Sequence, residues 1–347
     1  MVTHLNRAVA SLTLLFALSG ATAAQQAEIR PQQNLAKWHI SPANYSGITH
    51  IADNVYAVVD DKSPQEGFYL FRIDINPRSG KVELVSSSEL LHPDHPDRNS
   101  AYADCEGVAY VPQSNTLFIT HEGSAAVKEY TLSGQLTGRR LAIPPTIEHS
   151  RQANNGGFEA LTYDSLSRHF WLINENTLKT DRHLADSLGR QSLRLTRFGQ
   201  DLRSDAQWFY LTDRPLHSAR VKYYTHGVPA LAALPDGRLL VMERELSIPP
   251  QYLGGKCTVK IFLVDPEAGP TATSAPGLLP KKLVATFTTH LRIGRLNYAN
   301  YEGMCLGPRL ADGRLTLLLV NDSQAGAGNK FCTLKDYIKV IILPEKL

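Results

Sequence analysis

The sequence predicts an all-β fold, a β-propeller of five blades by repeat count. Three observations carry this. A strand–turn–strand unit with an acid, or a residue standing in for one, at each outer end recurs five times. Each copy is followed by further β-rich runs between Gly, Asn, Asp and Pro turns. Apart from the first residues, no stretch keeps a long period of 3.6. Four-stranded units repeated around a ring make a propeller.

Residues 1–23 stand outside the repeat. Arg7 precedes an apolar run from Ala8 to Leu18, and Ala21, Thr22 and Ala23 supply small residues at a cleavage position. This is the pattern of a secretory signal peptide. The run is too short to span a bilayer, which needs about 20 apolar residues. The mature chain is expected in the periplasm or beyond, with no membrane span. A net charge of +3 over 347 residues argues against nucleic acid as a partner, and a monomer is expected.

Residues 24–45 form an N-terminal segment, and "AKWHIS" (36–41) within it is the expected closing strand. The propeller proper is expected over 46–347. Its repeats are "YSGITHIADNVYAVVDD" (45–61), "DCEGVAYVPQSNTLFITHEG" (104–123), "GFEALTYDSLSRHFWLINEN" (157–176), "HGVPALAALPDGRLLVMERE" (226–245) and "NYEGMCLGPRLADGRLTLLLVNDS" (300–323). Sixteen positions separate Glu106 from Glu122, Glu159 from Glu175 and Pro229 from Glu245. The third runs are "FYLFRIDIN", "AVKEYTLSG", "SLRLTRFG", "TVKIFLVDP" and "YIKVIIL"; the fourth are "KVELVSSS", "TGRRLAI", "QWFYLTD" and "LVATFTT". The fifth copy lacks a fourth run, so an N-terminal strand is expected to complete it. A sixth blade has room in 177–225 or 246–300, and a two-domain β-sandwich is the competing architecture.

Four cysteines, Cys105, Cys257, Cys305 and Cys332, contain no CxxC pair. Up to two disulfides suit an exported chain. Cys257 and Cys332 stand at equivalent places before the third strands of the last two blades, which makes a disulfide between them one expectation; buried free thiols are the competing reading for Cys105 and Cys305, which sit in strand-like runs.

Propeller geometry places the acids. If the innermost strand of each blade starts at one face, the second strand ends at that face. Ser46, Glu106, Glu159, Pro229 and Glu302 then share a channel mouth with Asp61, Glu122, Glu175, Glu245 and Asp322. Carboxylates so crowded raise one another's pKa. A hard cation compensates them, and oxygen ligands suit Ca²⁺. Taken singly, each acid can instead cap a strand end or pair with Lys or Arg. Loops on the same face bring Arg220, Lys222 and His226, groups that suit a phosphate or carboxylate ligand. No GxSxG elbow, HExxH helix or cysteine-phosphatase loop occurs, and "GGKCT" (254–258) lacks the first Gly of a P-loop.

The strand starts "DCEGVAY", "GFEALTYD" and "NYEGMCLGP", with "LLLVNDSQ", resemble the exported phytase-like esterase family of bacteria over roughly residues 45–343. The resemblance implies a propeller and metal-assisted activity on phosphate esters. Propeller phytases have six blades and a denser acidic cluster, and five copies with Ser46 and Pro229 in place of acids depart from that pattern.

The expected function is therefore an exported phosphoesterase acting by metal-assisted water attack on a small-molecule phosphate ester. Glu106, Glu159 and His226 are the expected catalytic groups. Arg220, Lys222 and Arg244 are expected to bind substrate, and Glu106, Glu122, Glu159, Glu175, Glu302 and Asp322 to hold Ca²⁺. A Ca²⁺-dependent lactonase or carboxylesterase and a non-catalytic binding propeller are the alternatives.

Overall fold

A computed structural model describes residues 26–95, 104–148, 157–184, 189–216, 221–271, 278–292, 295–329 and 332–347. The segment expected to be a signal peptide lies outside them. Five antiparallel sheets form the blades, each running from an innermost strand A outward. Blade one comprises Tyr45–Ala52, Val55–Asp60, Tyr69–Ile75 and Val82–Ser87. Blade two comprises Cys105–Val111, Thr116–His121, Ala126–Thr131 and Leu136–Arg140. Blade three comprises Phe158–Asp164, His169–Asn174, Ser192–Phe198 and Ser204–Leu211. Blade four comprises Tyr223–Ala233, Leu239–Ile248, Gly255–Val264 and Lys281–Arg292. Blade five has Asn300–Leu306, Thr316–Asp322 and Tyr337–Ile342. The two stretches with room for a sixth blade instead supply the outer strands of blades three and four. No helix among the described residues is long and apolar enough to cross a membrane.

The innermost strands touch in cyclic order, blade five meeting blade one. One apolar cluster fills each of the five interfaces between blades. Phe118, Phe158 and Phe170 join blades two and three, and Trp171, Trp208 and Val241 join three and four. Inner strands are buried on both faces, as the apolar run of Thr316–Asp322 shows, and this burial is the main term holding the ring together.

The ring closes through the N-terminal segment, but not where expected. Glu28–Ile29 and Gln33–Asn34 both pair antiparallel with Tyr337–Ile342 and form the outer edge of blade five. Residues 36–41 do not pair there. Leu35–Trp38 is a 3₁₀ turn started by Asn34, whose side chain accepts from the Ala36 N–H at 3.0 Å. His39 then takes φ +62°, a left-handed conformation that caps the turn, its N–H donating to the Ala36 carbonyl. Leu35 is fully buried and anchors the turn.

Cys105, Cys257 and Cys305 are buried free thiols, so the disulfide considered between Cys257 and Cys332 does not form. Cys257 lies inside a core strand opposite Leu246 rather than in a loop, and burial pushes its thiol up to about 12.

A shared irregularity shapes all five inner strands. The register with strand B shifts across Ser46, Glu106, Glu159, Pro229 and Glu302. Such bulges re-aim side chains, and Pro229 fits one because it has no N–H to donate. The next residue is small in every blade: Gly47, Gly107, Ala160, Ala230 and Gly303. Neighbouring inner strands approach closely here. A Cβ on Gly47 would strike the Glu106 carbonyl oxygen, and one on Gly107 would strike that of Glu159. Gly107→Ala should therefore lower unfolding free energy by about 1–3 kcal/mol, the usual cost of overpacking. Denaturant titration checks this; a variant as stable as wild type would contradict the close approach.

Candidate functional site

Two residues below each bulge, a large apolar side chain enters the channel: Ile48, Val108, Leu161, Leu231 and Met304. All five are buried. They plug the channel, so the mouth above is a cup with an apolar floor. Charges over such a floor are poorly screened.

The bulges and strand-B ends bring acids from blades one to three together in this cup. Carboxylate oxygens of Asp61, Asp104 and Glu106 lie within 4.8 Å of one another, as do those of Glu106, Glu122 and Glu159. Glu106 belongs to both triads. Burial raises the Glu106 carboxyl well above its ordinary value, and Glu159, Asp61, Glu302 and Glu122 raise it further. Glu159 is raised well above its ordinary value by burial and by Glu175, with Arg244 pulling the other way. Asp104 rises to about 6 through burial and the charges of Glu122 and Asp61.

Asp104 was absent from the expected ligands. It stands two positions before Glu106, and period-2 alternation was the signal that pointed its side chain to the same face. Its backbone sits at φ +53°, rare for a residue with a side chain but tolerated by Asp. Two backbone bonds hold it: its N–H donates to the Asp61 carbonyl at 2.9 Å, and its carbonyl accepts from Glu122 N–H at 3.0 Å. Asp104 thereby ties the ends of both strands B to the cluster.

The other half of the mouth is organised by Arg244, at 4% exposure. Its guanidinium donates to Glu175 of blade three, to Glu302 of blade five and, at 3.1 Å, to Asn300 Oδ1. Burial opposes its charge, but Glu302, Glu175 and Glu159 hold it well above the ordinary arginine range. Burial raises Glu302 to about 8 against the pull of Arg244, with Asp322 and Asp61 adding to the rise.

The remaining acids have local partners. Glu245 accepts from Leu216 N–H at 2.7 Å and Tyr224 Oη at 3.1 Å. Asp322 accepts from the backbone and side chain of Gln324 in its own turn. The cluster thus holds Glu106, Glu122 and Glu159 of the expected ligands together with Asp61 and Asp104. Glu175 and Glu302 surround Arg244, and Asp322 caps a strand end.

His226 lines a small side cavity with Arg244, Glu243, Glu245, Thr258 and Lys260. Burial lowers its imidazole below the ordinary value, against the pull of Glu243 and Glu245. Lys222 stands on an exposed edge against Tyr252, and Arg220 lies outside the described residues. An oxygen-only donor set of five crowded carboxylates has the chemistry of a hard-cation site.

Two outcomes follow from these charges. Carboxyls such as Asp104 and Glu302 keep their protons to higher pH in the folded chain than in the unfolded one. The stability they contribute is complete below the ordinary carboxylate range and is lost as pH rises through about 6 and about 8. In chelator, melting temperature should fall between pH 5 and 8.5, and Glu302→Gln should flatten the upper part of that fall. Arg244→Met should cost about 3–5 kcal/mol, since it leaves Glu175 and Glu302 buried without their partner; urea titration would read the loss, and a stable variant would refute the pairing.

Several known proteins resemble the chain. An endo-arabinase from Bacteroides thetaiotaomicron shares 13% identity at TM-score 0.47, covering 89% of this chain and 95% of that one. A luciferin-regenerating enzyme shares 10% at 0.42, covering 90% and 97%. A periplasmic gluconolactonase of Pseudomonas aeruginosa shares 14% at 0.34, covering 86% and 74%. No curated protein sequence matches. A family model described as phytase-like, esterase-like activity of phytase, matches residues 43–324, a span that takes in all five inner hairpins, and the chain belongs to that phytase-like family.

Proposed function

We propose that the protein is a Ca²⁺-dependent phosphoesterase acting on small-molecule phosphate monoesters at the channel mouth. The observation that carries this reading is the pair of carboxylate triads sharing Glu106, with their oxygens within 4.8 Å. Asp61, Asp104, Glu106, Glu122 and Glu159 would hold the cation. When bound, it would neutralise phosphate oxygens and acidify water. The chain's own groups do the rest. Arg244 fixes Glu175 and Glu302 and so keeps the fifth-blade side of the cup rigid. Glu302, a carboxyl that burial makes more basic than usual, is the candidate to accept the proton of an attacking water. The apolar floor from Ile48 to Met304 excludes bulk water from below.

One observation favours a lactonase or carboxylesterase acting at the same cluster. Among the described residues, Lys62 is engaged with Asp61 at 2.9 Å and Arg244 with Glu175 and Glu302, so neither is free for a phosphate. Parallel assays on p-nitrophenyl phosphate, p-nitrophenyl acetate and a γ-lactone separate the two activities.

For the metal, a cation at a hundredfold excess over its Kd stabilises by about 2.7 kcal/mol. EDTA should therefore lower the melting temperature and abolish p-nitrophenyl phosphate hydrolysis, and Ca²⁺ should restore both. Glu159→Gln should weaken Ca²⁺ binding and lower the rate while relieving repulsion, so that in EDTA it melts at or above wild type. A wild type indifferent to EDTA, with no metal by elemental analysis, would leave a binding propeller as the better description.

A further inference from the structure

Blade four is taller than the others, and the extra height is all at the mouth. Its strand A starts six residues before Pro229, whereas Glu106 and Glu159 are the second residues of theirs. Its strand B continues to Ile248, three residues past Glu245, while those of blades two and three end before Glu122 and Glu175. The ladder of the extension is regular, Tyr223 opposite Ile248, Tyr224 opposite Ser247 and Thr225 opposite Leu246. A wall of sheet thus stands at the inner edge of the cup. Tyr224 Oη reaches Glu245 at 3.1 Å, and Thr225 Oγ1 reaches Glu175 at 3.4 Å, so the wall is continuous with the Arg244 network.

This wall gathers exposed apolar surface. Of ten exposed large apolar side chains among the described residues, Leu216, Tyr223, Tyr224, Tyr252 and Leu253 belong to it or touch its base. Such concentration marks a binding surface. Tyr223 and Tyr252 rings sit 6.3 Å apart. Lys222 Nζ lies 4.5 Å from the Tyr252 ring centroid and donates to its hydroxyl at 2.6 Å. Tyr252 is held at φ +62° by bonds between its N–H and the Pro249 carbonyl and between Gly255 N–H and its own carbonyl. A bulky residue in that conformation is an outlier of the kind found at functional sites. With Lys222 spent on Tyr252 and Tyr224 on Glu245, the wall offers ring faces, leucine surface and positive charge rather than free hydrogen-bonding groups. That chemistry suits an aromatic ring carrying an anionic group and disfavours a polyol.

The geometry points to the blade-four wall as a stacking subsite for the aryl group of an aryl phosphate monoester whose phosphate lies in the acid cup. The inference rests on the phosphoesterase reading and adds its substrate class. Calorimetry on the Ca²⁺-loaded full chain with phenylphosphonate and methylphosphonate tests it. Wild type should bind phenylphosphonate about tenfold more tightly, one stacking contact's worth. Tyr223→Ala/Tyr252→Ala, at exposed positions, should remove that preference and leave methylphosphonate affinity and melting temperature unchanged. Equal affinities in wild type, or a preference that survives the double substitution, overturns the subsite alone. Failure of both phosphonates to bind overturns the phosphoesterase reading and the subsite with it.

Discussion

Repulsion among carboxylates over an apolar floor is the constraint around which the mouth is built. Asp61, Asp104, Glu106, Glu122 and Glu159 would fly apart in an open loop. Three rigid devices prevent this. Bulges aim Glu106 and Glu159 inward, small residues let neighbouring inner strands approach, and the left-handed Asp104 pins blade one to blade two. Each device costs local stability, and the five apolar interfaces between blades supply the surplus that tolerates it.

The two halves of the cup solve the same charge problem differently. Around blade four the chain supplies its own cation, Arg244, whose planar fork bridges carboxylates of two neighbouring blades. Around blades one to three the described residues place Lys62 against Asp61, and the crowding of Asp104, Glu106 and Glu159 is what the proposed ion would relieve. With an ion bound on one side and Arg244 fixed on the other, the cup would be polar from side to side, a gradient along which an anionic ligand would align.

Much of this was legible in the sequence for a simple reason. Apolar strands with turn residues at even spacing fix the hairpins, and alternation fixes which residues reach the channel. Hence the four-strand blades, their boundaries and the convergence of Glu106, Glu122 and Glu159 could be read directly. Three things could not. Arg244 sits beside Glu245 in "ERE", and only three-dimensional reach shows that it spans to Glu175 and Glu302 while Glu245 turns to Leu216 and Tyr224. Asp322 is claimed by Gln324, two residues on, a local bond that competes with any shared site. The closing strands are only two residues each and lack a β pattern, so "AKWHIS" looked the better strand although a cap at Asn34 makes it a turn.

The placement of that closure carries a kinetic consequence. Glu28–Ile29 and Gln33–Asn34 seal the ring at the rim of blade five, not at its axis. The strand they cover, Tyr337–Ile342, lies at the opposite end of the described chain. Few pairings in a protein are more distant along the backbone, and such contacts form late in folding. The five inner hairpins are local and can be made as the chain emerges. The latch is therefore expected to form last and, being short and peripheral, to open first. A partly unlatched ring would keep its acid cup while exposing the edge of one blade, so the fold separates the part that gathers the acids from the part that would unravel.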